Sequence, residues 1–157
     1  MSNYPKPVSF SALDTCHQQM LEQLKALSAL ATRIEAEGID AEAQQQADQI
    51  ETFFSGTSRA HHAQEEKMVF PPILAGDNDE LKATVTTLQQ DHGWIEENWI
   101  ELSPKLRAVA SGNSWFEPAE LVSQVAIFVA LVQNHIALEE STVYPAAKSL
   151  GITKNDK

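Results

Sequence analysis

The chain of 157 residues is poor in cysteine and in basic side chains. Its single cysteine, Cys16, excludes an internal disulfide and is typical of a reducing compartment, so we expect a cytoplasmic protein. Lysine and arginine together number 11 against 22 acidic residues, which gives a net charge of −11. Because that charge repels nucleic-acid phosphates and anionic lipids, we expect neither a nucleic acid nor a membrane as a partner.

Glycine and proline are also few, at 6 and 7 residues, whereas apolar residues make up 43% of the chain. This balance favours an ordered, helix-rich protein, and the length suits one domain with a sizeable core. No apolar run approaches the roughly 20 residues of a membrane-spanning helix. The first residues, Met-Ser-Asn-Tyr-Pro-Lys-Pro, lack the apolar segment of a signal peptide.

Four segments carry apolar residues at alternating steps of three and four residues, the spacing of helices that pack in a bundle. The predicted helices span approximately residues 11–38, 41–70, 77–112 and 118–144. The first begins near Ser11 with a capping box, and Pro71-Pro72 ends the second. Gly56 predicts a bend or a close neighbour in the second helix, and Pro104 predicts a kink or a division in the third.

Short connections between these helices predict an all-α fold, an antiparallel up-down-up-down four-helix bundle. We assign the bundle to residues 11–150, an extended segment to residues 1–10 and a polar tail to residues 151–157. The two halves of the chain also repeat, because each has a histidine on its first helix and a His-Glu pair on its second. The sequence therefore predicts two related helical hairpins packed face to face.

Each predicted helix carries one histidine in place of an aliphatic residue on its inward face. These histidines are His17, His61, His92 and His135. The second and fourth helices share one pattern, His61-His-Ala-Gln-Glu65-Glu66-Lys-Met-Val-Phe70-Pro71 and His135-Ile-Ala-Leu-Glu139-Glu140-Ser-Thr-Val-Tyr144-Pro145. Four residues make about one helical turn, so each histidine shares a face with its first glutamate. We place His61 inward, because it continues the stripe of Ile50 and Phe54, and His62 on the flank.

Six inward donor groups can thus meet in one layer of the bundle. Buried polar groups without partners cost roughly 1–3 kcal/mol each, so six of them indicate a common partner, a metal centre. Imidazole nitrogen and carboxylate oxygen suit iron, manganese or zinc. Four imidazoles and two carboxylates fit two ions, each with two terminal histidines and with the glutamates as bridges. Coordination positions then stay open for a small ligand.

The order, spacing and flanking aromatic-proline pairs of these residues resemble the hemerythrin family, specifically its HHE cation-binding branch. The resemblance implies a four-helix bundle with two iron ions in a non-haem di-iron site, bridged by two carboxylates and an oxo or hydroxo group. Carried over by position, the metal ligands are His17, His61, Glu65, His92, His135 and Glu139. The chain departs from oxygen-carrying hemerythrins at Glu96, where they have a histidine, and at Glu139, where their aspartate comes one residue later. Its ligand set is more similar to that of iron-cluster repair proteins.

The leading hypothesis from this resemblance is a di-iron protein that binds or senses O2 or NO, or handles iron under oxidative or nitrosative stress. Signalling would need an unidentified protein partner. An enzyme that reduces peroxide or NO or repairs iron clusters is also compatible with the sequence, and so is a metal-stabilised structural bundle with zinc. Either His62 or Glu96 is a further candidate ligand, while Glu66 and Glu140 are expected to face solvent or to hydrogen-bond metal ligands.

Overall fold

The computed structural model describes residues 9–151, and this range contains helices and turns but no strand. Its helices are α1 (Phe10–Glu37), α2 (Ala41–Ser55), α3 (Thr57–Gln64), α4 (Phe70–Leu74), α5 (Asp79–Ala110), α6 (Pro118–Leu138) and α7 (Tyr144–Ser149). A first π-turn (Glu65–Val69) joins α3 to α4, and a second π-turn (Glu139–Val143) joins α6 to α7. Most of the predicted extended segment and of the polar tail lies outside the described residues.

These elements form four rods: α1, then α2 to α4, then α5, then α6 with α7. Helix α1 packs against α2 and α6, and α5 packs against the same two helices, so the rods close into a ring of neighbours. The connections at residues 38–40, 75–78 and 111–117 are short, which makes consecutive rods antiparallel. The prediction of an all-α four-helix bundle is confirmed.

Side-chain caps fix where three of the rods begin. The Ser9 hydroxyl accepts a hydrogen bond from the Ala12 N–H at 3.2 Å, so α1 begins at Phe10, close to the predicted start near Ser11, but its cap is Ser9 rather than the predicted capping box at Ser11. The side chains of Asp40 and Asn78 cap α2 and α5 in the same way. Gly38 ends α1 with a φ of +81°, a backbone conformation that favours glycine.

Proline and glycine interrupt the rods less than the sequence predicted. Gly56 separates α2 from α3, yet the second rod continues through it. The prediction that Pro71-Pro72 ends this rod is wrong, because both prolines lie in the first turn of α4, where the fixed φ of proline suits a helix. Helix α5 runs through Pro104 without division.

The core consists of two apolar clusters with a polar layer between them. The larger cluster includes Met20, Leu24, Phe54, Ile95, Trp99 and Phe128. The smaller cluster includes Phe10, Leu13, Phe70, Val85, Leu88 and Tyr144. Along α1 the buried residues Leu13, His17 and Met20 follow one another, so His17 lies between the two clusters. His92 has the same place on α5. The bundle thus holds its histidines in a layer closed by hydrocarbon on both sides.

The fourth rod is more apolar than we predicted from the sequence. By length and composition alone, the helix from Pro118 to Ser149 could cross a membrane, and it is the one such helix in the described range. The expectation that no segment approaches membrane-spanning length is therefore wrong for α6. This is weak support for a membrane location, because the inward face of the rod supplies Phe128 and Val132 to the core and His135 to the polar layer.

Candidate metal centre

All four rods contribute to the polar layer, and the structure brings the six predicted donors together. Their side chains come from α1 (His17), α3 (His61), the first π-turn (Glu65), α5 (His92), α6 (His135) and the second π-turn (Glu139). Five are buried to at least 96%, and the side chain of His92 is 10% exposed. Their donor atoms fall into two groups, each with all atoms within 4.8 Å of one another, and Glu65 belongs to both.

The first group lies between the first and second rods. Nε2 of His17 and Nε2 of His61 are 3.1 Å apart, so two imidazole nitrogens face one point. The Glu139 Oε1 atom lies 3.2 Å from Nε2 of His17, and the Glu65 Oε2 atom lies 3.5 Å from Nε2 of His61. Two nitrogens and two carboxylate oxygens thus surround one candidate position, which we name the His17–His61 position.

The second group repeats this arrangement between the third and fourth rods. Nε2 of His92 and Nε2 of His135 are again 3.1 Å apart. The Glu65 Oε1 atom lies 3.1 Å from His92, and the Glu139 Oε1 atom lies 3.2 Å from His135. Glu65 therefore reaches both groups through its two oxygens, whereas Glu139 contacts one imidazole of each group through the single atom Oε1. We name this place the His92–His135 position.

Carboxylates behind the imidazoles orient three of the four rings. The Nδ1 atoms of His17 and His92 lie 3.2 Å and 2.6 Å from the carboxylates of Glu140 and Glu66, respectively. Nδ1 of His135 lies 3.3 Å from the carboxylate of Asp91. Because an Nδ1–H that donates outward leaves the Nε2 lone pair free, these contacts present the rings as metal ligands.

Both glutamates of the site are the first residue of a π-turn. The N–H of Phe70 donates to the carbonyl of Glu65, and the N–H of Tyr144 donates to the carbonyl of Glu139, each five residues back. A proline follows each aromatic residue and would clash with the preceding turn of a regular α-helix, so the wider turn accommodates it. Such π-turns are frequent at functional sites. Sequence reasoning missed them, although the repeated aromatic-proline pair is their signal.

The two buried carboxylates are electrostatically unequal. Burial raises the pKa of Glu139 well above its usual value, and the neighbouring Glu65 adds to the effect. Burial opposes ionisation of Glu65 as well, but hydrogen bonds from Glu139, His61 and His92 outweigh it and lower its pKa well below the usual value. Without a cation the pair therefore holds one proton, because two adjacent carboxylates cannot both ionise in a dry core.

Of two unpaired buried atoms in the layer, the carboxylate oxygen shows that the donor set fits a cation. Among residues 9–151, Oε2 of Glu139 and Nδ1 of His61 have no hydrogen-bond partner. Buried polar atoms in native proteins are almost always paired, and an unpaired carboxylate oxygen beside converging imidazoles has the chemistry of a metal ligand. The residues present thus fit a metal cation.

Aromatic side chains close the layer on the side of the smaller cluster. The Tyr144 ring stacks on His17 with 5.0 Å between ring centroids, and the Phe70 ring stacks on His92 at 5.6 Å. The Tyr144 hydroxyl donates to Oε2 of Glu65 at 2.6 Å. Burial, with Glu65 and Glu139 nearby, raises the pKa of Tyr144, so its phenol stays protonated at the site.

Of the two further candidate ligands, the structure brings His62 to the site and leaves Glu96 outside. A ring nitrogen of His62 belongs to the same donor group as Glu65, His92 and His135. Its ring stacks on His92 with 4.2 Å between centroids. Burial and the neighbouring His92 lower the pKa of His62 well below its usual value. His62, which was predicted to lie on the flank, therefore lies beside the His92–His135 position. Glu96 instead forms an ion pair with Arg59.

The fold and this layer of imidazoles and carboxylates define a metal-binding four-helix bundle. The family model of the hemerythrin HHE cation binding domain matches residues 8–147, so the chain belongs to that family. An uncharacterized protein of Haemophilus influenzae is 27% identical over 128 residues, which cover 82% of this chain and 72% of that protein. No solved structure matches the chain. The family resemblance read from the sequence is confirmed.

Proposed function

We propose that this member of the hemerythrin HHE family is a non-haem di-iron protein that binds O2 or NO as part of a response to oxidative or nitrosative stress. The observation that supports it best is the pair of donor groups joined by Glu65, with an unpaired oxygen of Glu139 beside them. Cytoplasmic localisation and a protein partner are further predictions from the sequence.

Charge and donor count favour two ions. The layer holds two buried carboxylates, and within residues 9–151 their ion-pair partners are histidines rather than lysine or arginine. One divalent cation in each group would allow both carboxylates to ionise and would satisfy all four inward Nε2 atoms. A single ion would leave one pair of imidazoles with their Nε2 atoms 3.1 Å apart and no metal between them.

The donor types favour iron and a small ligand. Imidazole and carboxylate are the ligands of redox-active iron sites, and two nitrogens with two oxygens leave positions of a six-coordinate ion open. When bound, the irons supply the electron-transfer and ligand-binding chemistry that no side chain of the layer has. Because five of the six donors are almost fully buried, only a very small molecule could reach them. O2 and NO have that size.

The protein's own residues prepare this site. Glu66 and Glu140 hold the rings of His92 and His17 with their Nε2 atoms inward. The two apolar clusters exclude water from above and below the layer. The Tyr144 hydroxyl donates to Glu65 and lies 3.2 Å from Nε2 of both His17 and His61. If a cation held the Glu65 oxygen, this O–H could turn and donate to a bound ligand instead.

The test is anaerobic loading of the metal-free protein with Fe²⁺, metal analysis, and absorption spectra before and after addition of O2 or NO. We expect two irons per chain and a ligand-to-iron charge-transfer band that appears with the ligand. His17→Ala should lose iron, whereas Glu97→Gln, on an exposed part of α5, should behave as wild type. Tight binding of zinc with no iron-dependent spectrum would instead support the structural alternative, and turnover of peroxide or NO would support the enzyme.

A further inference from the structure

The two halves of the metal centre are related by an approximate twofold repeat. His17 and His61 in the first half correspond to His92 and His135 in the second, and Glu65 corresponds to Glu139. The paired rings have 4.7 Å between centroids in both halves, with interplanar angles of 46° and 48°. With geometry this similar, any difference in chemistry between the two positions must come from residues next to the donors.

The first such difference is at the residue after the inward histidine of the second and fourth rods. It is His62 in the first half and Ile136 in the second, and Ile136 is buried in the larger apolar cluster. The His62 ring centroid lies 4.2 Å from that of His92 and 5.5 Å from that of His135, closer than the 5.9 Å to its neighbour His61, and its donor nitrogen groups with the first two. The His92–His135 position therefore has an additional imidazole within reach, and the His17–His61 position has none.

The second difference is at the residue before the inward histidine of the first and third rods. In the second half it is Asp91, whose carboxylate lies 3.3 Å from Nδ1 of His135. In the first half it is Cys16, and Nδ1 of His61 is one of the two buried polar atoms without a partner in the described range. His135 thus has a carboxylate that orients its ring and makes it a stronger donor, and His61 lacks one.

We propose that the two metal positions are unequal: the His92–His135 position takes His62 as a third imidazole ligand, binds its ion more tightly and is filled first. Both differences favour the same position, one by adding a ligand and the other by orienting one. This inference rests on the proposed di-iron function and assigns an order to its two ions. Asp91 acts here as a positioning residue, through His135.

The experiment is an anaerobic titration of metal-free protein with Fe²⁺ against a chelator of known affinity, with Mössbauer spectra after one and two equivalents. We expect two binding steps that differ by about tenfold or more, given that contacts behind a ligand alone change affinity by about 10–100-fold. One equivalent should give one iron environment, and the second equivalent should add another.

Variants assign the steps to the positions. His62→Ala should weaken the first step by about 10-fold or more and leave the second unchanged. His62→Phe keeps a ring against His92 while removing the donor nitrogen, so it should have the same effect in a well-packed protein. Cys16→Asp should strengthen the second step, because it supplies the carboxylate that His61 lacks, and Cys16→Ser is the matched control without that charge.

The outcomes separate this inference from the proposed function. Fewer than two irons per wild-type chain would contradict the di-iron proposal itself. Two irons that bind in one step, or two Mössbauer environments already at one equivalent, would overturn only the inequality of the positions. Unchanged steps in both His62→Ala and His62→Phe would show that His62 is not a ligand.

Discussion

The hydroxyl of Tyr144 lies 2.6 Å from Oε2 of Glu65, and both groups are almost fully buried. The two residues come from different halves of the chain, because Glu65 opens the first π-turn and Tyr144 follows the second. In the other half the residue that corresponds to Tyr144 is Phe70, which has no hydroxyl. Within residues 9–151 the site therefore has one phenol donor, at its His17–His61 side.

Replacing Tyr144 by phenylalanine should destabilise the metal-free protein more than the metal-loaded one. The variant keeps the ring against His17 but leaves the Glu65 oxygen without its donor, and an unsatisfied buried acceptor costs about 1–3 kcal/mol. In the loaded protein a metal ion would satisfy that oxygen. Urea denaturation of both forms measures the difference. An equal loss of stability with and without metal would contradict the prediction.

Glu66→Ala should weaken the binding of one iron by about 10–100-fold, because the His92 ring loses the carboxylate that fixes its Nδ1–H. Chelator competition measures the affinity. Lys67→Ala is the matched control, since this neighbouring side chain is exposed and belongs to neither donor group. A control that weakens binding as much as Glu66→Ala would point to a change in the fold of α3 and the first π-turn rather than to His92.

The fold and the six donors could both be predicted from the sequence, because both predictions depend on the same inward faces of the bundle helices. A polar residue at a core position of a bundle helix is costly, so four histidines and two glutamates on inward faces indicated their own convergence. The π-turns were missed because they change the helical period over only five residues. Asp91 was missed for another reason: only the packing of α5 against α6 shows that a residue beside His92 reaches His135.

His62 shows where helical geometry alone is insufficient. A residue next to an inward one is turned about 100° away from it, which in an isolated helix is a flank. In the bundle the second rod has α5 on one side, so this flank faces His92 instead of solvent. Which side of a helix meets a neighbour depends on the handedness of the bundle. The periodicity of the sequence does not specify that handedness.

Iron binding should become weaker as the pH falls, and it should release protons. The raised pKa of Glu139 keeps this carboxyl protonated in the metal-free protein, so a cation must displace that proton before the oxygen can coordinate. The folded metal-free state binds more protons at Glu139 than the unfolded chain, so this group also lowers metal-free stability as pH rises through its shifted pKa. Calorimetric titration in buffers of different ionisation enthalpy counts the released protons. Glu139→Gln should release one proton fewer, and an unchanged count would contradict the assignment.

Removing the metal should lower the unfolding temperature substantially without unfolding the helices. The two apolar clusters lie on either side of the polar layer and do not depend on it, so the metal-free bundle should keep its helical circular dichroism. Metal that binds only the folded state adds about 2.7 kcal/mol per site at one hundred times its dissociation constant. Thermal melts with and without a chelator measure the shift. Asn78→Ala removes the cap of α5 away from the layer, so it should lower both melts equally, by the equivalent of about 1 kcal/mol. If the chelator lowers the wild-type unfolding temperature no more than Asn78→Ala does, the layer is stabilised by its own hydrogen bonds rather than by a cation.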